Sequence, residues 1–254
     1  GLHATSWALI NGEREHGITW HLMESGIDTG GILRRHPIEV ESTDTALSLN
    51  LKCSAAAIES LETLIPDIVA GSLQAEPQDL RARTYFAGAR RPTGGGVLNW
   101  NQTAGEIDAL VRACDFGSYR NPIGMPKILV GDDSMIVTRS AVSDPPAGIP
   151  PGMLVRIGEE ALTVSTMSGS LDVSGLMTIE GEPLSGYGAA RRYGLEVGQR
   201  LPVVTGADSD ELTAIAERLA RHEVHWERRL ASLVPAVPLR SKRGFTSASG
   251  GKSV

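Results

Sequence analysis

The residues best suited to chemistry are one aspartate held between glycines and a histidine shortly before it. In "MESGIDTGGIL", Met23 to Leu33, Asp28 stands two residues after Gly26 and two before Gly30, directly behind a hydrophobic run. An aspartate in a glycine-flanked loop can reach a cleft while the backbone around it turns tightly, which suits a base or an electrostatic support. The local pattern alone favours a plainer role, a turn aspartate bonded to its own backbone. His21 could carry a proton, but a histidine within a strand is more often hydrogen-bonded in a packed layer.

The remaining candidates read as structural. His3, His16 and His36 lack metal-ligand spacing, and His222 and His225 are three apart on a helix instead of four, so no metal site is expected. "PTGGGV" resembles a phosphate loop only in its glycines; without the following Lys-Ser/Thr it reads as a flexible linker. "SKR" and the arginines near the last helix read as a solvated face. Cys53 and Cys114 lack both zinc spacing and a disulfide framework, and read as buried thiols in a reducing compartment.

These residues must be positioned by elements that the periodicity outlines. "GITWHLM", Gly17 to Met23, alternates as a strand, with Ile18, Trp20 and Leu22 on one face and Thr19, His21 and Met23 on the other. A second strand fits "GILRRHPIEV", where Pro37 marks an edge or a break. Leu47, Leu51, Ala55, Ile58, Leu61, Ile65 and Ile68 predict a helix that covers a sheet or another helix, capped by Thr43 or Asp44 and ended by Gly71. A boundary falls near Arg83. "TAGEIDALVRAC" predicts a helix opened by a Thr103–Glu106 capping box, with Ile107, Leu110, Val111 and Cys114 inward. Short β-rich pieces between Lys127 and Leu184 predict a small barrel or sandwich. A last helix is expected from Asp208 to Leu233, with Leu212, Ile215, Leu219, Trp226, Leu230 and Leu233 on one face, before a disordered tail.

The 254 residues are 41% hydrophobic and only 4% aromatic, so aliphatic side chains must build the core. A formal charge of −6 argues against sequence-independent nucleic-acid binding. No apolar run reaches the ~20 residues of a membrane span, and a cytoplasmic location is expected. The opening at Gly1, at once into an apparently structured segment, reads as a fragment of a longer polypeptide.

"GLHATSWALINGEREHGITWHLMESGIDTGGIL" resembles the second half of the catalytic domain of the folate-dependent formyltransferases. Trp7, Asn11, Gly12, Glu13, Gly17, Thr19, His21, Met23, Gly26, Asp28, Thr29 and Gly30 match that family's pattern in register. "GGGVLNWNQTAGEIDALVRACDFGSYRNPIGMPK" is similar to the entrance of its C-terminal domain, a small open β-barrel of OB type, and "PPGMLVRIGEEALTVSTMSGSLDVSGLM" to its later strands. In wording, "ALVRACDFGSYRNPIGMPK" is closest to formyltransferase modules fused to nonribosomal peptide or polyketide synthetases. "ARHEVHWERRLASLVPAVPL" is similar to the stretch before an adenylation domain.

The resemblance implies an α/β fold: the C-terminal part of a Rossmann-like formyltransferase domain over 1–83, an OB-like β-barrel domain over 84–203, a helical linker over 204–239 and a disordered tail over 240–254. It implies transfer of a formyl group from 10-formyltetrahydrofolate to a small-molecule or carrier-bound amine, with adenylation and carrier domains downstream. Asp28 would be catalytic, supporting a histidine, and Gly26, Ile27, Asp28 and Thr29 would face the folate. The sequence departs from the family in one decisive respect. The family's Asn-x-His segment would lie ahead of the position matched by Gly1, so the chain alone is expected to be inactive. Gly31 stands where many members have aspartate, and a parallel sheet without its earlier strands would leave an open edge. Two other readings stay open: a non-catalytic binding remnant using the barrel and final helix, and a hydrolase or decarboxylase on the same fold.

Overall fold

The computed structural model describes residues 2–144 and 148–233; the predicted tail from 240 and the "SKR" cluster lie outside them. In chain order the elements are α1 (Ala4–Ile10), β1 (Glu15–His21), β2 (Ile32–Glu39), α2 (Ala46–Ala70), a 3-10 turn (Thr93–Gly96), α3 (Ala104–Ala113), β3 (Lys127–Val130), β4 (Asp133–Ser143), β5 (Leu154–Ile157), β6 (Ala161–Ser165), β7 (Ser170–Met177), β8 (Pro183–Leu184), α4 (Gly186–Tyr193) and α5 (Gly206–Ala231).

β1 and β2 pair antiparallel from Glu15↔Glu39 to His21↔Ile32. The parallel sheet implied by the resemblance is therefore absent among the described residues. Residues 22–31, which join the two strands, form a loop, whereas parallel neighbours need a crossover of about a dozen residues or more. Gly17 faces Pro37, and a Cβ on Gly17 would stand 2.5 Å from the His36 carbonyl oxygen. Glycine thus lets the strands close at the position where proline can donate no hydrogen bond.

α2 starts one residue later than predicted, at a Thr45–Ser48 capping box, and ends as predicted at a left-handed Gly71. Asp44 is buried and accepts from the Glu41 N–H, Ser48 Oγ and Lys52 Nζ. The inward face differs from the prediction. Ala46, Leu49, Ala56, Ser60 and Leu64 are buried, while Leu51, Ile58, Leu61, Ile65 and Ile68 are exposed. Small side chains at 56 and 60 let the helix approach the hairpin closely, and Trp20 Nε1 donates to Ser60 Oγ at 2.9 Å. The longer aliphatic stripe points the other way.

The larger core belongs to the second half. α3 opens with the predicted Thr103–Glu106 capping box and buries Ile107, Leu110, Val111 and Cys114. It packs on an antiparallel sheet of order β3-β4-β7-β6-β5, with β8 on β7. Met135, Val137, Leu162, Val164, Leu171 and Val173 fill the space between, joined by Trp100. Cys114 is buried as expected; Cys53 on α2 is only half-buried.

"PTGGGV" is a packed turn instead of a flexible linker. Gly94, Gly95 and Gly96 all have positive φ, and Gly94 and Gly96 are buried. A Cβ on Gly95 would stand 3.2 Å from both Ala216 Cβ and the Leu212 carbonyl oxygen, so the missing side chains make the seat for α5. The Gly94 N–H donates to Thr213 Oγ1 at 2.8 Å. Arg91 Nη2 meets Glu223 Oε2 at 2.8 Å, and Arg120 reaches Glu223 and Glu227. α5 has no buried residue.

Candidate active site at the Asp28 loop

β1 ends at His21 and β2 begins at Ile32, so the loop carrying Asp28 is tied at its neck. The Leu22 N–H donates to the Gly31 carbonyl at 2.9 Å. Gly30 is buried against Leu22: a Cβ there would stand 1.9 Å from the Leu22 carbonyl oxygen. Gln78 latches the loop from the following segment, its Nε2 donating to the Gly30 carbonyl at 2.5 Å and the Asp28 carbonyl at 3.1 Å. At Gly26 a Cβ would stand 2.4 Å from Thr29 Oγ1, so glycine leaves room for the threonine to fold back across the turn. Gly31 packs tightly too, its absent Cβ only 2.9 Å from Ala75 Cβ.

Asp28 crowns this loop in left-handed backbone, φ 54°. Aspartate tolerates that region better than most residues. Its side chain is 63% exposed, and its Oδ1 lies 3.8 Å from His21 Nε2. His21 Nδ1 is 2.8 Å from the Leu22 carbonyl oxygen. A carbonyl only accepts, so Nδ1 carries a proton, and Nε2 can direct a proton at Asp28 only when the ring is doubly protonated. Nε2 is thus the ring nitrogen turned towards the carboxylate, with its lone pair free to accept.

The loop forms one wall of a hollow of about 460 Å³ lined by Leu2, Ile27, Asp28, Thr29, Arg83 and Tyr85. The Arg83 guanidinium carbon lies 5.7 Å from the centre of the Tyr85 ring. One apolar wall, one aromatic ring with a cation on it and one carboxylate suit a flat heteroaromatic ligand with polar edges. Of the residues singled out from sequence, Ile27, Asp28 and Thr29 line this hollow; Gly26 shapes the loop behind them. Gln78, Arg83 and Tyr85 escaped sequence reasoning, although "QDLRARTYF" carries a basic and aromatic run inside the polar stretch assigned to the boundary. The same segment supplies Phe86, stacked on Trp7 at 4.8 Å, and Arg90, 5.2 Å from the Trp7 ring centre. It is pinned to α1 by these contacts.

The other histidines do not join Asp28. His3 caps α1 in left-handed backbone, and burial, with a smaller push from Arg91, lowers its pKa. Burial likewise lowers that of His16, with Glu13 opposing. A larger hollow, about 510 Å³, lies between Ser42–Thr45, α3 and β4. Three of its polar groups are engaged with one another or with the backbone: Asp108 meets Arg112 Nε at 2.6 Å and Ser140 Oγ at 2.7 Å, and Arg112 reaches the Asp44 carbonyl. The loop around Asp28 is chemically the better site. Among the described residues no helix is long and apolar enough to cross a membrane.

The chain thus sets a hairpin carrying His21 and Asp28, with α1 and α2 packed beside it, ahead of an antiparallel sheet covered by α3. Residues 1–65 match the formyl transferase family, and residues 94–194 match the formyl transferase C-terminal domain. Over these two stretches, together about two thirds of the sequence, the chain belongs to the formyl transferase family. Among solved structures, it is similar to an N-formyltransferase from Helicobacter canadensis in complex with folinic acid and dTDP-3-aminofucose. That match has 20% identity and a TM-score of 0.54, covering 68% of this chain and 61% of that one. WlaRD, a sugar 3N-formyltransferase solved with dTDP and 5-N-formyl-THF, gives 18% identity, a TM-score of 0.52, and 68% and 60% coverage. HypX from Aquifex aeolicus in complex with tetrahydrofolic acid gives 15%, a TM-score of 0.51, and 80% and 36%. The chain thus spans about three fifths of the two sugar enzymes and about a third of HypX. At these identities the likeness is one of fold.

Proposed function

We propose that the Asp28 loop serves formyl transfer from 10-formyltetrahydrofolate to an amine. The observation that carries this reading is Asp28, which lines a hollow with Ile27, Thr29, Arg83 and Tyr85 and stands 3.8 Å from His21 Nε2, within a stretch matched to the formyl transferase family. The folate co-substrate, when bound, supplies the formyl group. Ile27, Asp28 and Thr29 would face it with Gly26 shaping the loop behind them, and Tyr85 offers a ring to stack on. The attacking amine would pass a proton to His21 Nε2 as it bonds to the formyl carbon, and that proton would go on to N10 of the departing tetrahydrofolate as the bond between N10 and the formyl carbon breaks. Asp28 holds the imidazolium that forms and, as the family resemblance implies, supports the histidine of an Asn-x-His segment in the same way.

No Asn-x-His occurs in the 254 residues, so the same reading has the chain alone turning over at background. The wording of "ALVRACDFGSYRNPIGMPK" supports a peptide-synthetase setting, with the acceptor amine on a small molecule or a carrier domain. The test is formyl transfer from 10-formyltetrahydrofolate to amino sugars, amino acids and hydroxylamine. It uses this chain and the polypeptide extended upstream in its reading frame. The chain should match a no-protein control, and the extended protein should turn over and lose about 100-fold or more with Asp28→Asn. Turnover by the chain alone would overturn the need for an Asn-x-His segment; an Asp28→Asn variant at full rate would overturn the role of Asp28.

A further inference from the structure

A second hollow adjoins that of Asp28, and its walls carry positive charge. It measures about 380 Å³ and lies between Trp7, the segment around Arg90 and α5, with Tyr85, Arg91, Glu217 and Arg221 also on its walls. Tyr85, 62% exposed, lines both hollows, so the two meet at this residue. Arg83 lies on the Asp28 side, its guanidinium carbon 5.7 Å from the centre of the Tyr85 ring. On the other side Arg90 lies over the Trp7 and Phe86 rings, 5.2 and 5.0 Å from their centres, and Arg221 stands on α5 about two turns after Thr213.

The charge balance here favours an anion, although the chain as a whole carries −6. Arg83, Arg90 and Arg221 are exposed, and none has an ion pair among the described residues. Arg91 is already engaged: its side chain donates to the Gly88 and Arg90 carbonyls and to Glu223, so it adds charge more than donors. Against these four guanidiniums stand two carboxylates. Glu217 takes the Arg91 N–H at 3.4 Å, and Glu223 is shared by Arg91 and Arg120, the latter also held by Glu227. Farther along the same flank of α5, Asp210 lies a turn before Thr213 and Arg228 two turns beyond Arg221. Trp7 is 4% exposed, and its Nε1 has no hydrogen-bond partner among the described residues, a buried donor that a carboxylate oxygen can satisfy.

We infer that this hollow holds the glutamate tail of the folate co-substrate, and that the protein favours folates lengthened by γ-linked glutamates. The inference rests on the formyl-transfer reading of the Asp28 hollow. Folate joins a pterin, a p-aminobenzoyl ring and a glutamate, with its carboxylates all at the glutamate end. A pterin seated against Ile27, Asp28 and Thr29 leaves the other two parts to be placed, and the tail cannot turn back to Asp28 without like-charge repulsion. The Tyr85 ring offers the p-aminobenzoyl group a stacking surface. Beyond it Arg90 and Arg221 present the forked N–H groups that suit carboxylates. Each added glutamate brings one more carboxylate to these arginines. A phosphate ester would meet the same groups, but the two hollows join at Tyr85, which favours a ligand that spans both.

The test is isothermal titration calorimetry of 5-formyltetrahydrofolate carrying one or five glutamates, of glutamate-free 5-formyltetrahydropteroate, and of penta-γ-glutamate alone. It is run on the 254-residue chain and on the polypeptide extended upstream in its reading frame. The five-glutamate form should bind roughly tenfold more tightly than the one-glutamate form, the size of two or three exposed ion pairs, and high salt should erase most of that gain. Arg90→Gln with Arg221→Gln should remove the gain and leave the pteroate unchanged, whereas Arg228→Gln, outside the hollow, should keep it. Unchanged thermal melts would show that the variants still fold. Equal affinity at every tail length, or a gain kept by the double variant, would overturn the inference and leave the formyl-transfer reading standing. If pyrophosphate displaces the five-glutamate folate better than penta-γ-glutamate does, the hollow takes phosphate esters and the inference falls. No binding of any folate by either protein would remove both readings.

Discussion

Replacing Gly30 by alanine tests whether the Asp28 loop is held closed by backbone contact. The added Cβ would stand 1.9 Å from the Leu22 carbonyl oxygen, whereas carbon and oxygen settle at about 3.3 Å or more. Roughly 1.4 Å must be found. The Leu22 oxygen cannot yield alone, because it also anchors His21 Nδ1. The strand ends must part, and two hydrogen bonds weaken: Leu22 N–H to Gly31 and Gln78 to Gly30. At about 0.5–1.5 kcal/mol net for each, local opening becomes easier by about 1–3 kcal/mol. Since 1.4 kcal/mol is tenfold, the Leu22 amide should exchange roughly 5- to 150-fold faster with deuterium. Amides of the distant sheet, such as Val137 and Leu171, should keep their protection. Hydrogen exchange resolved by mass spectrometry or NMR reads both regions in one sample. A Leu22 amide within twofold of the parent would refute the argument that contact at Gly30 closes the loop.

Other outcomes follow from the same geometry. Gly105, in the first turn of α3 with no atom within 4 Å of a built Cβ, should gain about 0.5–1 kcal/mol on substitution by alanine, read as a higher urea midpoint. Burial would raise the Asp44 pKa, but hydrogen bonds from Lys52, Ser48 and the Glu41 N–H, with the Lys52 charge, together hold it below the ordinary carboxylate range. The unfolded chain therefore binds the proton more tightly. Its contribution is complete above about pH 4 and disappears as pH falls through the folded value; the stability gap between parent and Asp44→Asn, measured by denaturation from pH 7 to pH 2, should close in that direction. Burial pushes the Cys114 thiol up to about 12, so it should resist alkylation at pH 8 until the protein unfolds, while half-buried Cys53 reacts first. Glu223→Gln removes the partner of Arg91, whose side chain is only 9% exposed. Leaving that charge unpaired should cost a few kcal/mol and loosen α5, seen as faster exchange along the helix.

Much of the fold was legible in sequence because local rules decide it. The Thr103–Glu106 box, the Gly71 stop and the short β-rich pieces between Lys127 and Leu184 each depend on residues a few positions apart. Asp28 was legible as a candidate for the same reason, since its glycines and the preceding strand are neighbours in the chain. The faces of α2 and α5 were not. Periodicity finds a stripe of apolar residues, but which stripe is buried depends on what lies across from it, and in α2 the small side chains of Ala56 and Ser60 fit the hairpin better than the larger Ile58 and Ile65.

Sequence alone therefore determined the first two strands, the helices α2, α3 and α5, the α3 capping box, the stop at Gly71 and the loop that displays Asp28, all products of short-range sterics and hydrogen bonding. Tertiary structure alone decided the rest. It turned three glycines into a seat for α5, brought Gln78 across to latch the loop, and set Arg83 and Tyr85 beside Asp28. The contacts of Gln78, Arg83 and Tyr85 with the loop join residues about fifty positions or more apart. They follow from chain packing, which no local spacing encodes.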